Sequence, residues 1–375
     1  MHIVIITAFY QPLAVPRAFR ATYLAEEFAR RGHRVTVMNL TSGPSGSETA
    51  RSHDNVVIMN LGLAPYDHNA VTDISRPGLM TRLLKWRPLN RTAYYFTLNS
   101  ELLLKHKIAS RLTLPDDCDM LLSVGLPFGV HWGVSSLIRH AAKRPGVCIA
   151  DYGDPFSCGN PTIRIAPYFK NIEKRAMRMF DYITIPVEEA RPCFLHLKDN
   201  AHIKSIPQGF PLTVNNLPTY KPNKIPTAIY AGRFYTAIRN PRPLLEYIKQ
   251  RRQNCRLIIY TDVNDSEGLS LLEPYRDCDR IIVRNTIPRE ELICRMAECD
   301  FLINITNTSL HQQPSKVLDY HIAGRPVYTF ASDSFAPDMF EHFCNGDYPD
   351  ATPFDPAPFD IVRVADSFIG LAGQC

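Results

Sequence analysis

Short apolar segments alternate with longer amphipathic segments along this chain, and this alternation constrains the fold most. Residues 3–6 are predicted to form a buried strand, residues 17–31 carry apolar side chains at helical spacing, and residues 34–40 are predicted to form the next strand. Gly32 directly follows the helical segment and is the residue type that commonly ends a helix. Strands and helices in this order predict parallel sheets with helices on both faces.

A proline-rich stretch, residues 211–226, interrupts the alternation, and a second alternating series follows it. The length of 375 residues also suits two domains. We therefore predict an α/β protein with an N-terminal Rossmann-like domain in residues 1–210 and a C-terminal Rossmann-like domain in residues 227–335. Residues 336–375 form a tail that is free to pack back on the first domain. Two such domains would face each other across a cleft with the carboxyl ends of their strands, an architecture that suits two substrates.

Composition excludes several classes of protein. The net charge of +5 is small for this length and does not indicate a nucleic-acid partner. The ten cysteines contain no CxxC pair, so we expect reduced thiols and neither a zinc site nor a disulfide framework. The chain lacks a basic leader and any run of about 18 apolar residues, which predicts a cytoplasmic protein.

Two Asp-x-Asp triplets, residues 117–119 and 277–279, are candidate ligands for a divalent metal. Both precede predicted strands and would therefore lie on the side of the sheet away from the cleft. We predict no metal site and no cofactor.

The segment from His311 to Tyr320 is the strongest candidate for a ligand site. It follows a buried strand, and Pro314 suits the first turn of a helix whose free N–H groups can bind an anion. Lys316 adds a positive charge at this helix end, where electrostatics disfavours a cation unless an anion is bound. Asp319 shares a helix face with Lys316 and could accept two ribose hydroxyls. The alternative is a surface ion pair between Lys316 and Asp319.

A second candidate is Gly232-Arg233, directly after the first predicted strand of the C-terminal domain. Glycine permits a tight turn and a close backbone approach. The planar guanidinium of Arg233 suits diphosphate oxygens. The alternative is an exposed loop arginine without a ligand.

These segments, in this order, resemble the family 4-type glycosyltransferases of the GT-B fold, over roughly residues 1–330. The resemblance is carried by residues 31–37, 151–155, 173–183, 206–210, 232–234 with 240, and 314–316 with 319–320. It implies a hexosyltransferase that moves a sugar from a nucleotide diphosphate sugar to an acceptor hydroxyl, with retained configuration and no required metal, in glycan or glycolipid biosynthesis.

The resemblance also assigns donor-site residues. Arg233 and Lys316 would stabilise the leaving diphosphate, and Gly232, Ser315, Asp319 and His311 would line the donor site. The family often carries two glutamates on the donor helix, at the positions of His311 and Asp319. Its first loop often carries a glycine pair, where this chain has residues 12–17 without glycine. The identity of the donor sugar therefore does not follow from the resemblance.

Four residues of the first domain complete the candidate site. His131 could contact the donor sugar, as a histidine does in similar enzymes, or it could be a core residue. Asp151 and Asp154 follow a predicted strand and could orient acceptor hydroxyls, or they could form an ordinary turn. Arg17, at the end of the first loop, is assigned to acceptor binding.

Residues 76–111 contain eight Lys or Arg residues and one acid, with aromatic residues interleaved. One interpretation is a surface that meets anionic lipid on the inner face of the membrane, or the acceptor. The other is a solvated helical hairpin. The expected partners are a nucleotide sugar and a glycan or lipid-linked acceptor, without nucleic acid. A sugar-nucleotide epimerase of the same fold and a non-catalytic nucleotide- or sugar-binding protein remain the alternatives.

Overall fold

A computed structural model describes residues 1–13, 15–41, 49–53, 55–64, 95–158, 165–236, 239–250, 255–306, 315–348 and 354–373. The chain divides into two compact units. The first unit comprises Met1–Pro211 and Ala357–Cys375, and the second comprises Leu212–Pro356. Among the described helices, none is long and apolar enough to cross a membrane.

The first unit is built on an eight-stranded sheet. Its strands are β1 (His2–Thr7), β2 (Arg34–Asn39), β3 (Thr49–His53), β4 (Val56–Asn60), β5 (Met120–Val124), β6 (Val147–Asp151), β7 (Tyr182–Ile185) and β8 (Ile203–Ser205). They lie in the order β3-β4-β2-β1-β5-β6-β7-β8, and every neighbouring pair is parallel except β3 and β4. All residues of β1, β5, β6 and β7 are buried. The continuous apolar runs of these strands are explained by helices on both faces of the sheet.

Among the described residues, the α-helices of the first unit are α1 (Pro16–Arg30), α2 (Asn99–Arg111), α3 (Phe128–His140), α4 (Phe169–Met177) and, from the end of the chain, α10 (Ile361–Ala372). One core cluster contains residues of α2, α3 and α4, and another contains residues of α1 and α10. Gly32 ends α1 with φ of +83°, a conformation that glycine adopts readily.

The chain returns to the first unit at its end. Phe210 and Asp360 form a parallel bridge, and the Asp360 carboxylate accepts a hydrogen bond from the N–H of Val362 to cap α10. Phe368 of α10 is fully buried in the same cluster as Phe28 of α1. The described end of the chain therefore packs on the core of the first unit through the buried face of α10.

The second unit is built on a parallel five-stranded sheet in the order β11-β10-β9-β12-β13. Its strands are β9 (Thr227–Ala231), β10 (Arg256–Thr261), β11 (Ile281–Asn285), β12 (Phe301–Thr306) and β13 (Val327–Ala331). Its helices are α5 (Arg242–Gln250), α6 (Ser266–Leu272), α7 (Arg289–Glu298), α8 (Ser315–Ala323) and α9 (Pro337–Cys344). The start of the predicted tail, including α9, thus lies in the second unit.

The proline-rich segment is anchored to the second unit by one buried carboxylate. Asp300 accepts hydrogen bonds from the Tyr220 hydroxyl at 2.8 Å and from the backbone N–H groups of Asn223 and Thr227 at 3.1 and 2.7 Å. These contacts fix the segment that leads into β9.

The first Asp-x-Asp triplet has protein partners. Asp117 pairs with His2 and Arg34, and the Asp119 carboxylate accepts a hydrogen bond from the N–H of His2. Within the described ranges, no three His, Cys, Asp or Glu side chains are grouped as metal ligands would be.

Candidate active site

In the second unit, the turn after β9 brings the backbone against a lysine. Gly232 has φ of +138°, and its N–H donates to the Tyr260 carbonyl at 2.8 Å. A Cβ at this position would lie 2.1 Å from the Lys316 Nζ. The backbone at Gly232 therefore packs closely against the Lys316 ammonium.

Lys316 lies in the first turn of α8 and is packed on an aromatic ring. Its Nζ lies 3.4 Å from the Tyr230 hydroxyl and 4.6 Å from the centre of the Tyr230 ring. Burial lowers the pKa of Lys316 to about 7, helped by repulsion from Arg239 and opposed by the attraction of Asp319. Lys316 therefore exchanges its proton near neutral pH.

The loop after β9 carries two arginines, of which Arg239 is close enough to lower the pKa of Lys316. Arg233 is more than half exposed and donates to the Asp262 carboxylate at 2.9 Å, at the end of the adjacent strand β10. A backbone bridge between Tyr235 and Arg239 closes the loop, and the Arg239 guanidinium lies 3.5 Å from the Arg233 carbonyl oxygen. Sequence reasoning singled out Arg233 and missed Arg239. The only signal for Arg239 was a second cation in the same loop.

Asp319 pairs with Arg289, the first residue of α7, rather than with Lys316. The Arg289 Nε and Nη2 lie 2.8 and 2.7 Å from the same carboxylate oxygen, Oδ1. Burial raises the pKa of Asp319, and Arg289 opposes this shift. Arg289, 30 positions earlier in the chain, gave no sequence signal.

Of two further residues that were predicted to line the donor site, the structure describes the backbone of one and leaves the other outside the described residues. Ser315 is the first residue of α8, so its backbone stands at the helix start. His311 lies outside the described residues, as does Pro314.

In the first unit, His131 is a buried, neutral residue of α3. It is 1% exposed, its Nδ1 lies 2.8 Å from the Ser123 hydroxyl, and its ring centre is 4.5 Å from that of Tyr152. Burial lowers its pKa to about 3. The other nitrogen, Nε2, has no hydrogen-bond partner among the described residues. A Cβ on Gly125 would lie 2.4 Å from Nε2, so only glycine at this position lets the backbone pack this closely against the imidazole ring.

A small pocket opens at His131, between the carboxyl ends of β5 and β6. Its lining is mostly apolar and aromatic, with one carboxylate at its edge: Gly125, Leu126, Phe128, His131, Tyr152, Gly153, Asp154 and Phe156. Asp154 is exposed, whereas His131 is buried. The structure thus brings two of the predicted site residues of this unit to one pocket.

Asp151 lies at the end of β6, is fully buried, and is held by three partners. It accepts from Arg17 at 2.9 Å, from Arg20 at 2.8 and 3.1 Å, and from the Thr184 hydroxyl at 2.7 Å. Both of its oxygens are occupied within the protein, so a direct contact with acceptor hydroxyls does not fit this geometry. Asp151 instead holds the two arginines in place, and Arg20 was missed because nothing in the sequence pairs it with residue 151.

A second buried carboxylate lies behind the pocket. Glu173 of α4 is 1% exposed and accepts a hydrogen bond from the Tyr152 hydroxyl at 3.0 Å. Burial raises the pKa of Glu173 to about 7. Glu173 contacts the pocket-lining residue Tyr152, which packs on His131.

Residues 76–94 of the basic segment lie outside the described residues. In the described part, the Lys107 ammonium donates to the Leu63 carbonyl at 2.9 Å, and Lys105 lies 5.8 Å from the Trp132 ring centre. Glu101 accepts from the N–H of Gly129. The second half of the segment is therefore tied to the first unit by specific contacts.

Neither family models nor curated protein sequences match this chain. Solved structures do. A sucrose-phosphate synthase from Thermosynechococcus elongatus superposes with a TM-score of 0.59 at 13% identity, covering 100% of this chain and 98% of the other. An alpha-glucosyltransferase in complex with UDP has a TM-score of 0.53 at 10% identity, with coverages of 100% and 96%.

A protein described as a UDP-N-acetylglucosamine 2-epimerase from Listeria monocytogenes has a TM-score of 0.50 at 10% identity, with coverages of 98% and 94%. At identities this low, structural likeness shows the fold alone. The chain therefore has the two-domain, Rossmann-like α/β fold of the GT-B glycosyltransferases, and an epimerase shares that fold.

Proposed function

We propose that this protein is a glycosyltransferase that moves a sugar from a nucleotide diphosphate sugar to an acceptor hydroxyl. The observation that carries the proposal is the cationic cluster of the second unit, Arg233, Arg239 and Lys316, beside the turn at Gly232. Two arginines and a lysine that can be protonated, within one loop and one helix start, suit a ligand with two adjacent phosphates.

The cluster suits the difficult part of this reaction. Negative charge grows on the diphosphate as the glycosidic bond breaks, and cationic donors already in place lower the barrier because they need no reorganisation. Arg233 and Arg239 supply permanent charge, while Lys316 can take up a proton when an anion arrives. Because these side chains can neutralise the diphosphate, we propose that turnover needs no metal and survives a chelator.

We assign the remaining residues by their geometry. Asp319, oriented by Arg289, would accept the ribose hydroxyls, and the backbone of Ser315 would offer N–H groups at the helix start. In the first unit, His131 would contact the donor sugar. Retention of configuration is part of the proposal and is carried by the resemblance alone.

A panel of UDP-, GDP-, ADP- and CDP-sugars with the full-length protein tests this function. Release of nucleoside diphosphate together with a glycosylated product supports a transferase. Conversion of the donor to its epimer would instead assign the protein to the epimerases that share the fold. A ligand-induced thermal shift without turnover, across acceptors of different classes, would assign a binding protein.

Two substitutions test whether the nucleotide binds at this cationic cluster. Arg233→Gln and Lys316→Met should each weaken nucleotide binding by roughly ten- to a hundredfold, since a hydrogen bond to a charged group is worth about 1.5–3 kcal/mol. Arg276→Gln is the matched control, because Arg276 is exposed and pairs only with Glu273 in the described structure. Unchanged affinity in both site variants would remove the donor site from this cluster.

We propose a glycan or a lipid-linked glycan as the acceptor and the cytoplasm as the location. Contact with anionic lipid is tested by vesicle sedimentation, comparing wild type with a variant in which Arg82, Lys85 and Arg87 are all changed to Glu. Binding that rises with anionic lipid content and is lost in the variant favours a lipid-linked acceptor. Equal sedimentation of both proteins favours a soluble one.

A further inference from the structure

We propose that the first unit docks on a membrane containing anionic lipid through the outer side of α2, α3 and α4. Residues 95–112, 128–144 and 165–180 form this side, which we call the α2–α4 surface. Residues 76–94 lie outside the described residues and do not enter the argument. The binding of lipid does not rest on the proposed function, because it needs neither the donor site nor turnover.

The three helices cover one face of the eight-stranded sheet. Val4 and Ile6 of β1 belong to the core cluster that contains residues of α2, α3 and α4. Ile3 and Ile5, which point to the opposite face, belong to the cluster of α1 and α10. The sides of α2, α3 and α4 that turn away from the sheet therefore face solvent on one side of the unit.

The α2–α4 surface carries a large excess of positive charge. Its residues include ten Lys or Arg and two acids. Both acids are buried, since Glu101 is 6% and Glu173 is 1% exposed, and both accept hydrogen bonds within the unit. The helices on the other face, in residues 16–31 and 360–373, carry five Lys or Arg and four acids. The charge excess is therefore a property of one face of the unit and not of the chain as a whole.

The excess is densest on α4. Lys170, Lys174, Arg175 and Arg178 lie within one helix and its C-cap, and all four are exposed. None of the four has a carboxylate partner among the described residues. Burial lowers the pKa of His196, and repulsion from Lys170 and Lys174 adds to this shift. Because like charges one turn apart on a helix repel each other, an anionic surface opposite them would be stabilising.

Large apolar side chains are exposed where the α2–α4 surface begins. Phe96, Leu103 and Tyr168 are 54%, 52% and 46% exposed. The Tyr168 hydroxyl donates to the Phe96 carbonyl oxygen, and the N–H of Ala166 donates to the Tyr95 carbonyl oxygen at 3.0 Å, so the segments that lead into α2 and α4 lie side by side. Apolar side chains beside Lys and Arg are typical of surfaces that insert into the interface of a bilayer. Charge alone would suit any polyanion, whereas the exposed leucine and aromatic rings favour lipid.

Docking in this way would bring the His131 pocket close to lipid. The helices α3 and α4 follow β5 and β6 of the parallel sheet, so both begin at the edge of the sheet where the pocket opens. Tyr168, at the start of α4, lies at the same edge. A lipid-linked acceptor would then reach the pocket from the membrane, a consequence that does rest on the proposed function.

Sedimentation of the full-length protein with unilamellar vesicles tests the docking. The vesicles contain phosphatidylcholine alone, or phosphatidylcholine and phosphatidylglycerol in equal amounts. We expect binding to the mixed vesicles that weakens as sodium chloride is added, because salt screens the charge of the headgroups. Absence of binding to the mixed vesicles at low salt would overturn the proposal.

A triple variant, Lys174→Gln, Arg175→Gln and Arg178→Gln, tests the cationic part of the surface. Each basic side chain near an anionic bilayer is worth about fivefold in affinity, so the variant should bind the mixed vesicles roughly a hundredfold more weakly. The matched control removes the same charge by changing three exposed arginines outside this surface to Gln, namely Arg30, Arg276 and Arg363. An equal loss in both variants, or no loss in the α4 variant, would contradict the assignment of this surface.

A double variant, Phe96→Ala and Leu103→Ala, tests the apolar part. It should weaken vesicle binding by roughly tenfold at low and high salt alike, because about half of each side chain remains to be buried. A surface that binds acidic protein or nucleic acid by charge alone would lose nothing in this variant, and that result would rule out the lipid partner. The affinity for UDP should be unchanged in every variant, so a failure of the docking and a failure of the donor site are distinguished.

Discussion

The depressed pKa of Lys316 predicts that nucleotide binding takes up a proton. At a pKa of about 7, only about one tenth of the free protein carries a charged Lys316 at pH 8. A diphosphate beside Nζ favours the charged form and raises this pKa towards its ordinary value. The binding equilibrium must therefore draw a proton from solution at any pH between the two values.

The size of the pH effect on nucleotide affinity follows from the change in the pKa of Lys316 on binding. Each pH unit above 7 costs the complex about 1.4 kcal/mol, or a factor of ten in affinity, until the pKa of the complex is reached. If the diphosphate raises that pKa to about 9, affinity falls roughly 25-fold between pH 7 and pH 9, and about a hundredfold over the whole titration. The sign is fixed, because a base whose pKa is higher in the complex binds more protons there, so raising the pH weakens binding.

Isothermal titration calorimetry with UDP, or with the diphosphate that the donor panel selects, measures this linkage. Titrations at pH 8 in buffers of different ionisation enthalpy give the number of protons taken up, which should approach one. The terminal phosphate does not contribute, since its own pKa near 6 leaves it ionised. Lys316→Met should show weaker binding without uptake, and Lys316→Arg should keep affinity with little dependence on pH.

The same experiment can refute the reasoning. Absence of proton uptake by the wild type at pH 8 would mean that Lys316 is already charged or does not meet the ligand. Equal uptake by wild type and Lys316→Met would place the titrating group elsewhere. Arg239→Gln is informative as well, because removing one source of repulsion should raise the free pKa of Lys316 and reduce the uptake.

Three further perturbations follow from the structure. Gly232→Ala should displace the Lys316 ammonium and strain the backbone at φ of +138°, so calorimetry should show weaker nucleotide binding, whereas unchanged affinity would contradict the close contact. Glu173→Gln should stabilise the protein at pH 8 by about 3 kcal/mol, because the folded pKa of about 7 lies above the unfolded value near 4.5. Wild-type stability is then lost as pH rises from about 4.5 to about 7, and urea unfolding should show the two proteins converging below pH 4.5. Phe368→Ala should cost about 3–5 kcal/mol of unfolding free energy in the same assay, and a cost below 1 kcal/mol would contradict the packing of α10 in the core.

Local pattern was sufficient to predict most elements. The apolar run at residues 3–6 lies within β1, and the helical spacing from residue 17 to 31 corresponds to α1 (Pro16–Arg30). Such patterns record burial, which is a property of each segment. The surface on which a segment packs depends on the whole fold. For this reason the sequence did not predict where the C-terminal tail packs. An amphipathic helix such as α10 shows that it needs an apolar partner without showing which one.

The same distinction separates the site residues that were predicted from those that were missed. Gly232, Arg233 and Lys316 follow strands, and the ends of parallel strands meet at one edge of a sheet. Arg289 and Arg20 act through carboxylates that are distant in the chain, at positions 319 and 151. The ion pairs that orient or occupy those carboxylates arise only when helices pack, so single-sequence reasoning has no periodicity or spacing to detect them.

The proposed donor site combines arginine with lysine, and the difference between the two side chains has a chemical consequence under the proposed function. Arginine remains charged at any working pH, so a phosphate beside Arg233 or Arg239 would be stabilised throughout a reaction. The protonated fraction of Lys316, in contrast, increases with the negative charge of the group beside it. A sugar nucleotide carries less charge on its diphosphate than the nucleoside diphosphate that leaves, so Lys316 is more fully protonated beside the leaving group than beside the intact donor. An interaction that strengthens as the bond breaks lowers the barrier, whereas one that is equally strong before and after only tightens binding.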